Sequence, residues 1–261
     1  MNIQQIISKT EVIARDVGDF IRTESKSFDQ NTVELKGKSN LVSYVDKTAE
    51  QRIVESLDKL LPGAGFVTEE DTVEQKQAMY TWIIDPLDGT TNFVHGVPCY
   101  AVSIGLMVDE KIVGGVVYEI TRNECFSASQ GNGAFLNGQR ISVTNASSID
   151  DSLFSTGFPV YNFDRLDNYI SILNELMRNS HGLRRIGSAA ADMVYVACGR
   201  LEGFFEYNLN VWDIAAGVII VQEAGGMVTD FKGGDNFLFG REIVAAGPVH
   251  SELLAVIQRS W

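Results

Sequence analysis

The stretch Trp82-Ile83-Ile84-Asp85-Pro86-Leu87-Asp88-Gly89-Thr90-Thr91-Asn92-Phe93 runs from a strand signal into an acidic turn. Its aromatic and β-branched opening reads as a buried strand. Pro86 and Gly89 then bend the chain sharply. Two carboxylates, Asp85 and Asp88, stand three residues apart in that bend, which can aim both into one space. Like charges held close repel unless one is protonated or a cation lies between them. An all-oxygen donor set suits a hard cation such as Mg²⁺. Gly89 leaves room for a phosphate against the backbone, and a helix starting there would point the Gly89 and Thr90 N–H groups at it. The plainer alternative is an Asp-Pro/Asp-Gly turn whose threonines cap a helix.

On the N-terminal side, Ile3, Ile6, Ile7, Ile13, Ala14, Val17, Phe20 and Ile21 recur at helical spacing and predict an amphipathic helix over about 3–24. A second helical pattern runs through Ala49, Ile53, Leu57, Leu60 and Leu61 and stops at Pro62-Gly63, with Asp46 near its start. On the C-terminal side, Tyr100–Val108 and Ile112–Tyr118 flank Asp109-Glu110-Lys111 as a hairpin. Glu124–Ala128 and Ile141–Thr144 read as further strands, the latter preceded by the tight-turn pair Asn137-Gly138. Residues 80–145 thus predict a mostly antiparallel sheet. Beyond about 150 the pattern alternates. Strands are expected at Leu153–Thr156, Gly182–Ile186, Gly203–Tyr207, Met227–Asp230 and Ile243–Ala246. Helices are expected at Tyr169–Met177, Ala189–Cys198, Asp213–Glu223 and Ser251–Arg259. That alternation predicts helices stacked on a second sheet.

Composition narrows the partners. With 45% hydrophobic and 21% charged residues the chain is globular rather than disordered. Its longest apolar run, the nine residues Tyr100–Val108, is half the ~18 a membrane helix needs. Three cysteines at 99, 125 and 198 argue against a disulfide framework. No basic-then-apolar leader opens the sequence, so a cytoplasmic location is expected. The formal charge of −13 disfavours direct binding of nucleic acid or anionic membrane, since the basic residues cluster only at Arg184-Arg185.

Further acidic residues are candidates for the same site. Glu69-Glu70 follow Phe66-Val67 at a strand end, where a solvated loop pair is the alternative. Asp213, in Trp212-Asp213-Ile-Ala-Ala-Gly217, and Asp46 each sit in the first turn of a predicted helix, where capping is the alternative. Other catalytic patterns are missing. The chain has no Gly-x-x-x-x-Gly-Lys loop, no His-Glu-x-x-His, no Gly-x-Ser-x-Gly and no Asp-x-Asp. No arginine stands six residues after a cysteine, and His95, His181 and His250 are scattered.

Together, Asp85-Pro-Leu-Asp88-Gly89-Thr90-Thr91-Asn92-Phe93 and Trp212-Asp213-Ile-Ala-Ala-Gly217 resemble the paired motifs of the inositol monophosphatase family. The likeness extends to Lys36…Asp46, to Thr68-Glu69-Glu70 with Thr for the family glycine, to Gly187-Ser188-Ala189-Ala190 with Ser for Thr, and to Glu206. It implies an α+β fold layered α-β-α-β-α, an antiparallel N-terminal sheet plus a second mixed sheet. A subdomain over 1–146 would carry most metal ligands, and one over 147–261 would complete the site within one catalytic unit.

The resemblance further implies hydrolysis of a phosphate monoester with two to three Mg²⁺ ions and inhibition by Li⁺. Glu69, Asp85 and the Leu87 carbonyl would hold one ion, and Asp85, Asp88 and Asp213 a second. A third would share Glu69 through water. Thr90 would hydrogen-bond the attacking water, with Asp46 orienting its hydroxyl. Gly89, Thr90 and Thr91 would bind phosphate, and Gly187, Ser188, Ala189 and Glu206 the leaving group. Lys36 would be an accessory. Inositol 1-phosphate is the expected substrate. Fructose 1,6-bisphosphate, histidinol phosphate, NADP and adenosine 3′,5′-bisphosphate are the alternatives, as is a regulatory binding protein on the same fold, since similar bacterial members have been tied to transcription complexes. A homodimer is also expected, and the Tyr100–Tyr118 hairpin and Phe154-Ser-Thr-Gly-Phe158 offer apolar surface for it.

Overall fold

The first helix, α1 (Ile3–Glu24), opens on a capping box between Asn2 and Gln5 and buries Ile6, Ile7, Ala14, Val17 and Ile21 on one face. It is followed in this computed structural model, which describes residues 2–28, 34–37, 40–76, 78–159 and 162–261 (backbone only at 34–37 and 40–42), by an antiparallel pair, β1 (Glu34–Gly37) and β2 (Asn40–Val42). The second helix, α2 (Tyr44–Leu60), starts earlier than the apolar spacing indicates, because Ser43 and Asp46 form a capping box ahead of its first apolar turn.

A seven-stranded sheet then assembles in chain order: β3 (Gly65–Thr68), β4 (Tyr80–Asp88), β5 (Ala101–Val108), β6 (Lys111–Glu119), β7 (Glu124–Ser129), β8 (Gly133–Leu136) and β9 (Gln139–Ile141). Only β3 and β4 are parallel. A short helix, α3 (Thr90–Val94), follows β4. The Asn137-Gly138 turn joins β8 to β9 with both residues at positive φ, 48° and 78°, as a tight hairpin requires. The strand expected over 141–144 ends at Ile141. There the chain leaves the sheet, and the Val143 N–H bonds the Ala224 carbonyl at 3.1 Å.

The second sheet comprises β10 (Leu153–Thr156), β11 (Gly182–Arg184), β12 (Gly203–Tyr207), β13 (Met227–Thr229) and β14 (Glu242–Ala246) in the order β11-β10-β12-β14-β13. It is mixed: β11, β10 and β12 run parallel, and β14 is antiparallel to β12 and β13. Five helices accompany it: α4 (Leu166–Asn179), α5 (Ala189–Ala197), α6 (Val211–Glu223), the short α7 (Phe237–Gly240) and α8 (His250–Ser260).

The layers follow from which faces are apolar. Helices α1 and α2 cover one face of the first sheet, α5 and α6 lie between the sheets, and α4 and α8 cover the far face of the second. The middle layer joins Ala101, Val117 and Phe126 to Met193, Ile219 and Ile220 and to Phe204 and Ala245. Adjacent residues of a strand point to opposite faces. Phe204 therefore enters this layer while Phe205 packs outward with Tyr169, Ile172 and Leu253. Covered on both sides, β5 and β6 are buried nearly end to end, which explains their unbroken apolar sequence.

This corrects one expectation. The Tyr100–Tyr118 hairpin presents no apolar surface to a second copy, because α1 and α6 cover it. Phe154 is likewise buried, and of that segment's two phenylalanines only Phe158 is exposed.

Helix α6 approaches the first sheet closely because small residues face each other. A Cβ on Gly115 would lie 2.7 Å from the Ala216 carbonyl oxygen, and one on Gly105 would lie 3.0 Å from the Ala215 Cβ. This close approach carries the first turn of α6, with Asp213, toward the acidic end of β4.

Candidate active site

The acidic end of β4 carries a bulge. Against β5, Asp85 pairs with Ser103 and Asp88 with Ala101, so β4 has one residue more than its partner over this interval. Pro86, without an N–H, falls in that interval, and a bulge re-aims the side chains beside it. Gly89 follows at φ 96°, a conformation suited to glycine, and a Cβ there would stand 3.2 Å from the carbonyl oxygens of Cys99 and Gly187. The Asn92 amide ties this turn down, donating to the carbonyls of Cys99 (2.8 Å) and Ile186 (2.9 Å).

Asp85 is 2% exposed. Burial pushes its carboxyl pKa well up, and the charges of Glu69, Asp88 and Asp213 push it further. These four acidic residues, drawn from three separate segments of the chain, therefore act on one another in space. Asp85 Oδ1 accepts the Leu87 N–H at 2.9 Å, and its carboxyl is hydrogen-bonded to Glu69. Asp88 Oδ2 accepts the Ser188 hydroxyl at 2.6 Å and the Ala190 N–H at 2.7 Å, which fastens β4 to the start of α5. Burial nevertheless raises the Asp88 pKa to about 6. Asp213 Oδ2 accepts the Asn210 N–H at 2.6 Å, and burial together with Asp88 raises its pKa to about 7. The capping alternative for Asp213 and its place in the acidic cluster are thus both realised, through one carboxylate. Among the described residues, no three His, Cys, Asp or Glu side chains stand close enough to hold an ion as they are. The donor set still matches a hard cation, being made of carboxylates; Arg185 lowers the Asp88 pKa and Arg241 that of Asp213, but burial raises each by more.

Asp46 also serves two ends. Its Oδ2 accepts the Ser43 N–H (2.8 Å) and hydroxyl (2.6 Å), and its Oδ1 lies 2.9 Å from the Thr90 hydroxyl. That hydroxyl stands equally close to the Leu87 carbonyl, and its one proton favours the carboxylate, the stronger acceptor. Burial raises the Asp46 pKa, opposed by these bonds.

A cleft of about 150 Å³ opens beside this cluster and is lined by Asp88, Gly187, Ser188, Ala189, Glu206 and Asp213. Six of the expected site residues therefore line one cleft. Asp46, Glu69, Asp85, Leu87, Gly89 and Thr90 do not line the cleft, and Thr91 is exposed. The Lys36 side chain lies outside the described residues.

Three residues escaped the sequence reading. Glu50, fully buried, holds the loop that carries Glu69 by accepting the Glu70 N–H (2.7 Å), the Thr72 N–H (2.8 Å) and the Thr68 and Thr72 hydroxyls. Its signal was available: Asp46 and Glu50 are four apart and fall in register with the buried Ile53 and Leu57. Arg185 and Asp192 also line the cleft, and neither belongs to the motifs.

Known proteins share this chain's sequence and fold. The model of the inositol monophosphatase family matches residues 2–261. The chain is 44% identical over 241 residues to a protein named putative Nus factor SuhB from Neisseria meningitidis serogroup B, covering 92% of this chain and 88% of that one. It is 39% identical over 248 residues to an inositol-1-monophosphatase from Mesorhizobium japonicum, covering 95% and 90%. The crystal structure of extragenic suppressor protein suhB from Bartonella henselae superposes with a TM-score of 0.91 at 36% identity, covering 99% of both chains. A match over nearly every residue, in sequence and in three dimensions, shows that the chain belongs to the inositol monophosphatase family.

Proposed function

We propose that this chain is a Mg²⁺-dependent phosphate monoester hydrolase acting on inositol 1-phosphate. The observation that carries the reading is the convergence of Glu69, Asp88 and Asp213 on the buried Asp85. Glu69, Asp85 and the Leu87 carbonyl would hold one ion, and Asp85, Asp88 and Asp213 a second. A third would share Glu69. Asp88 and Asp213 are each fixed through Oδ2, so Oδ1 can face a cation. When bound, the ions polarise the phosphate and supply a nucleophilic water at neutral pH.

The chain's own groups orient the reaction. Asp46 fixes the Thr90 hydroxyl, whose oxygen then accepts a hydrogen bond from the attacking water and holds it in line. The Gly89 and Thr90 N–H groups hold phosphate oxygens, with Thr91 at the rim. Gly187, Ser188 and Ala189 shape the leaving-group side, and Glu206 accepts hydrogen bonds from its hydroxyls. Lys36 would be an accessory that neutralises charge or holds the N-terminal segment. Sensitivity to Li⁺ belongs to the same reading.

Asp88→Asn and Asp213→Asn each remove one anionic ligand while nearly preserving volume. Each is expected to lower Mg²⁺-dependent phosphate release by roughly 10²-fold or more. Near-normal turnover by either variant at modest Mg²⁺ sinks the two-ion assignment. A phosphate-release screen that includes fructose 1,6-bisphosphate, histidinol phosphate, NADP and adenosine 3′,5′-bisphosphate ranks the substrates.

The name Nus factor, borne by several relatives, favours a second reading in which the fold also serves as a regulatory binding protein. The net charge of −13 points such a role toward a protein partner rather than direct contact with nucleic acid. The two readings separate in the same variants, because loss of turnover would leave a docking surface elsewhere intact.

A further inference from the structure

The cleft holds one carboxylate that the motifs do not account for. Asp192 lies in the first turn of α5 and is 1% exposed. Its helix is otherwise built from Ala, Val, Met and Tyr, and Ala189, Ala190, Ala191, Met193 and Val194 are all buried around it. Its Oδ1 is buried without a hydrogen bond among the described residues. The Ser155 hydroxyl, on β10, faces the same carboxylate but is itself buried with no well-formed hydrogen bond. A favourable helix dipole accounts for an acid in a first turn. It does not account for burying one with an oxygen unsatisfied, which is costly.

Glu206 lines the same cleft. Its carboxylate occupies the position a side chain at residue 157 would take, since a Cβ on Gly157 would fall 1.8 Å from Glu206 Oε1. Burial raises the Glu206 pKa well up, and Asp192 is the foremost of the charges that raise it further. Arg185, exposed at the rim, is the cation that lines the cleft.

We infer that Asp192 is a specificity-determining residue. With Glu206 it forms a double acceptor that takes a leaving group carrying several hydrogen-bond donors and turns away one carrying a second phosphate. The inference rests on the phosphatase reading and narrows its substrate class. Polyol hydroxyls and a protonated amine both supply such donors, whereas a second phosphate would meet two carboxylates at close range. Fructose 1,6-bisphosphate, NADP and adenosine 3′,5′-bisphosphate are therefore poor substrates. A selective site of this kind works as much by the groups it repels as by those it binds.

The test compares wild type with Asp192→Asn, which keeps the shape and removes the charge. Four esters are used with Mg²⁺: myo-inositol 1-phosphate, histidinol phosphate, p-nitrophenyl phosphate and adenosine 3′,5′-bisphosphate. The variant is expected to lose about tenfold more kcat/KM on the polyol ester than on p-nitrophenyl phosphate, mostly through KM. Its discrimination against the bisphosphate should shrink about threefold or more as one repelling charge is removed. Histidinol phosphate decides between donors: a larger loss there than on the polyol ester identifies a cationic leaving group. Without substrate, Asp192→Asn should hold or raise the melting temperature, by about 2 °C, because burial penalises the carboxylate and a neutral amide escapes that penalty. A merely structural acid predicts the reverse, a lower melting temperature with equal losses on all esters, and that result overturns the inference. So does turnover of p-nitrophenyl phosphate by wild type with no preference for a donor-rich ester. No turnover of any ester by wild type overturns the phosphatase reading itself, and this inference with it.

Discussion

Asp88 and Asp213 titrate in the folded chain near pH 6 and pH 7 because burial penalises their charged forms. An unfolded aspartate titrates near ~3.9. Between these limits the folded state binds more protons than the unfolded one, so their contribution to stability falls as pH rises through the window. Chelator-treated protein is therefore expected to melt at lower temperature near pH 8 than near about pH 5, with a shallower slope in Asp88→Asn. Added Mg²⁺ should raise the melting temperature most at the alkaline end, where the carboxylates are charged. Equal slopes in both proteins, measured by differential scanning fluorimetry, would remove Asp88 from this role. The motif residues were legible because their chemistry is compressed into a few positions, as in Asp85-Pro-Leu-Asp88-Gly89. Glu50 and Asp192 were not, since each works through partners 18–22 residues away or on another strand.

At the scale of elements, periodicity located the cores of the helices and strands, and local chemistry set their ends. Helices α2, α4 and α6 all start before their apolar spacing does. In α2 and α6 the early start is a capping box, which periodicity does not register. The strand over 141–144 failed because its edge is decided by the partner at Ala224, far along the chain. The short α3 and α7 are too brief to show a period. The contact that most directly positions the site is α6 against β6. Gly115→Ala is expected to cost about 1–3 kcal/mol, since its Cβ would meet backbone at Ala216 rather than a yielding side chain. It should also lower turnover by displacing Asp213. Urea unfolding and initial rates on the same sample test both, and an unchanged midpoint would show that α6 has room to retreat.

For the whole molecule, the residues proposed as metal ligands, phosphate turn and leaving-group contacts come from both halves of the chain, 1–146 and 147–261. The middle core draws side chains from both halves too, such as Val117 and Phe126 with Phe204 and Ile220. Among the described residues no helix is long and apolar enough to cross a membrane. The homodimer expected from the resemblance has lost the hairpin surface first offered for it. Its check is the molar mass by light scattering at micromolar concentration, where twice the chain mass is expected and a monomer refutes it.

The sequence by itself determined the element types, the two sheets with their stacked helices, and the acidic motifs, whose family likeness then implied the layered order. These depend on local periodicity, turn chemistry and short spacings. The tertiary structure alone decided which carboxylates share one space, because Asp85 and Asp213 are 128 residues apart and meet only through the close approach of α6 to the sheet. It also decided that Asp192 is buried with one carboxyl oxygen left without a hydrogen bond and lines the same cleft as Glu206. Burial and an unsatisfied oxygen are properties of everything packed around a residue, and no stretch of neighbouring sequence encodes them.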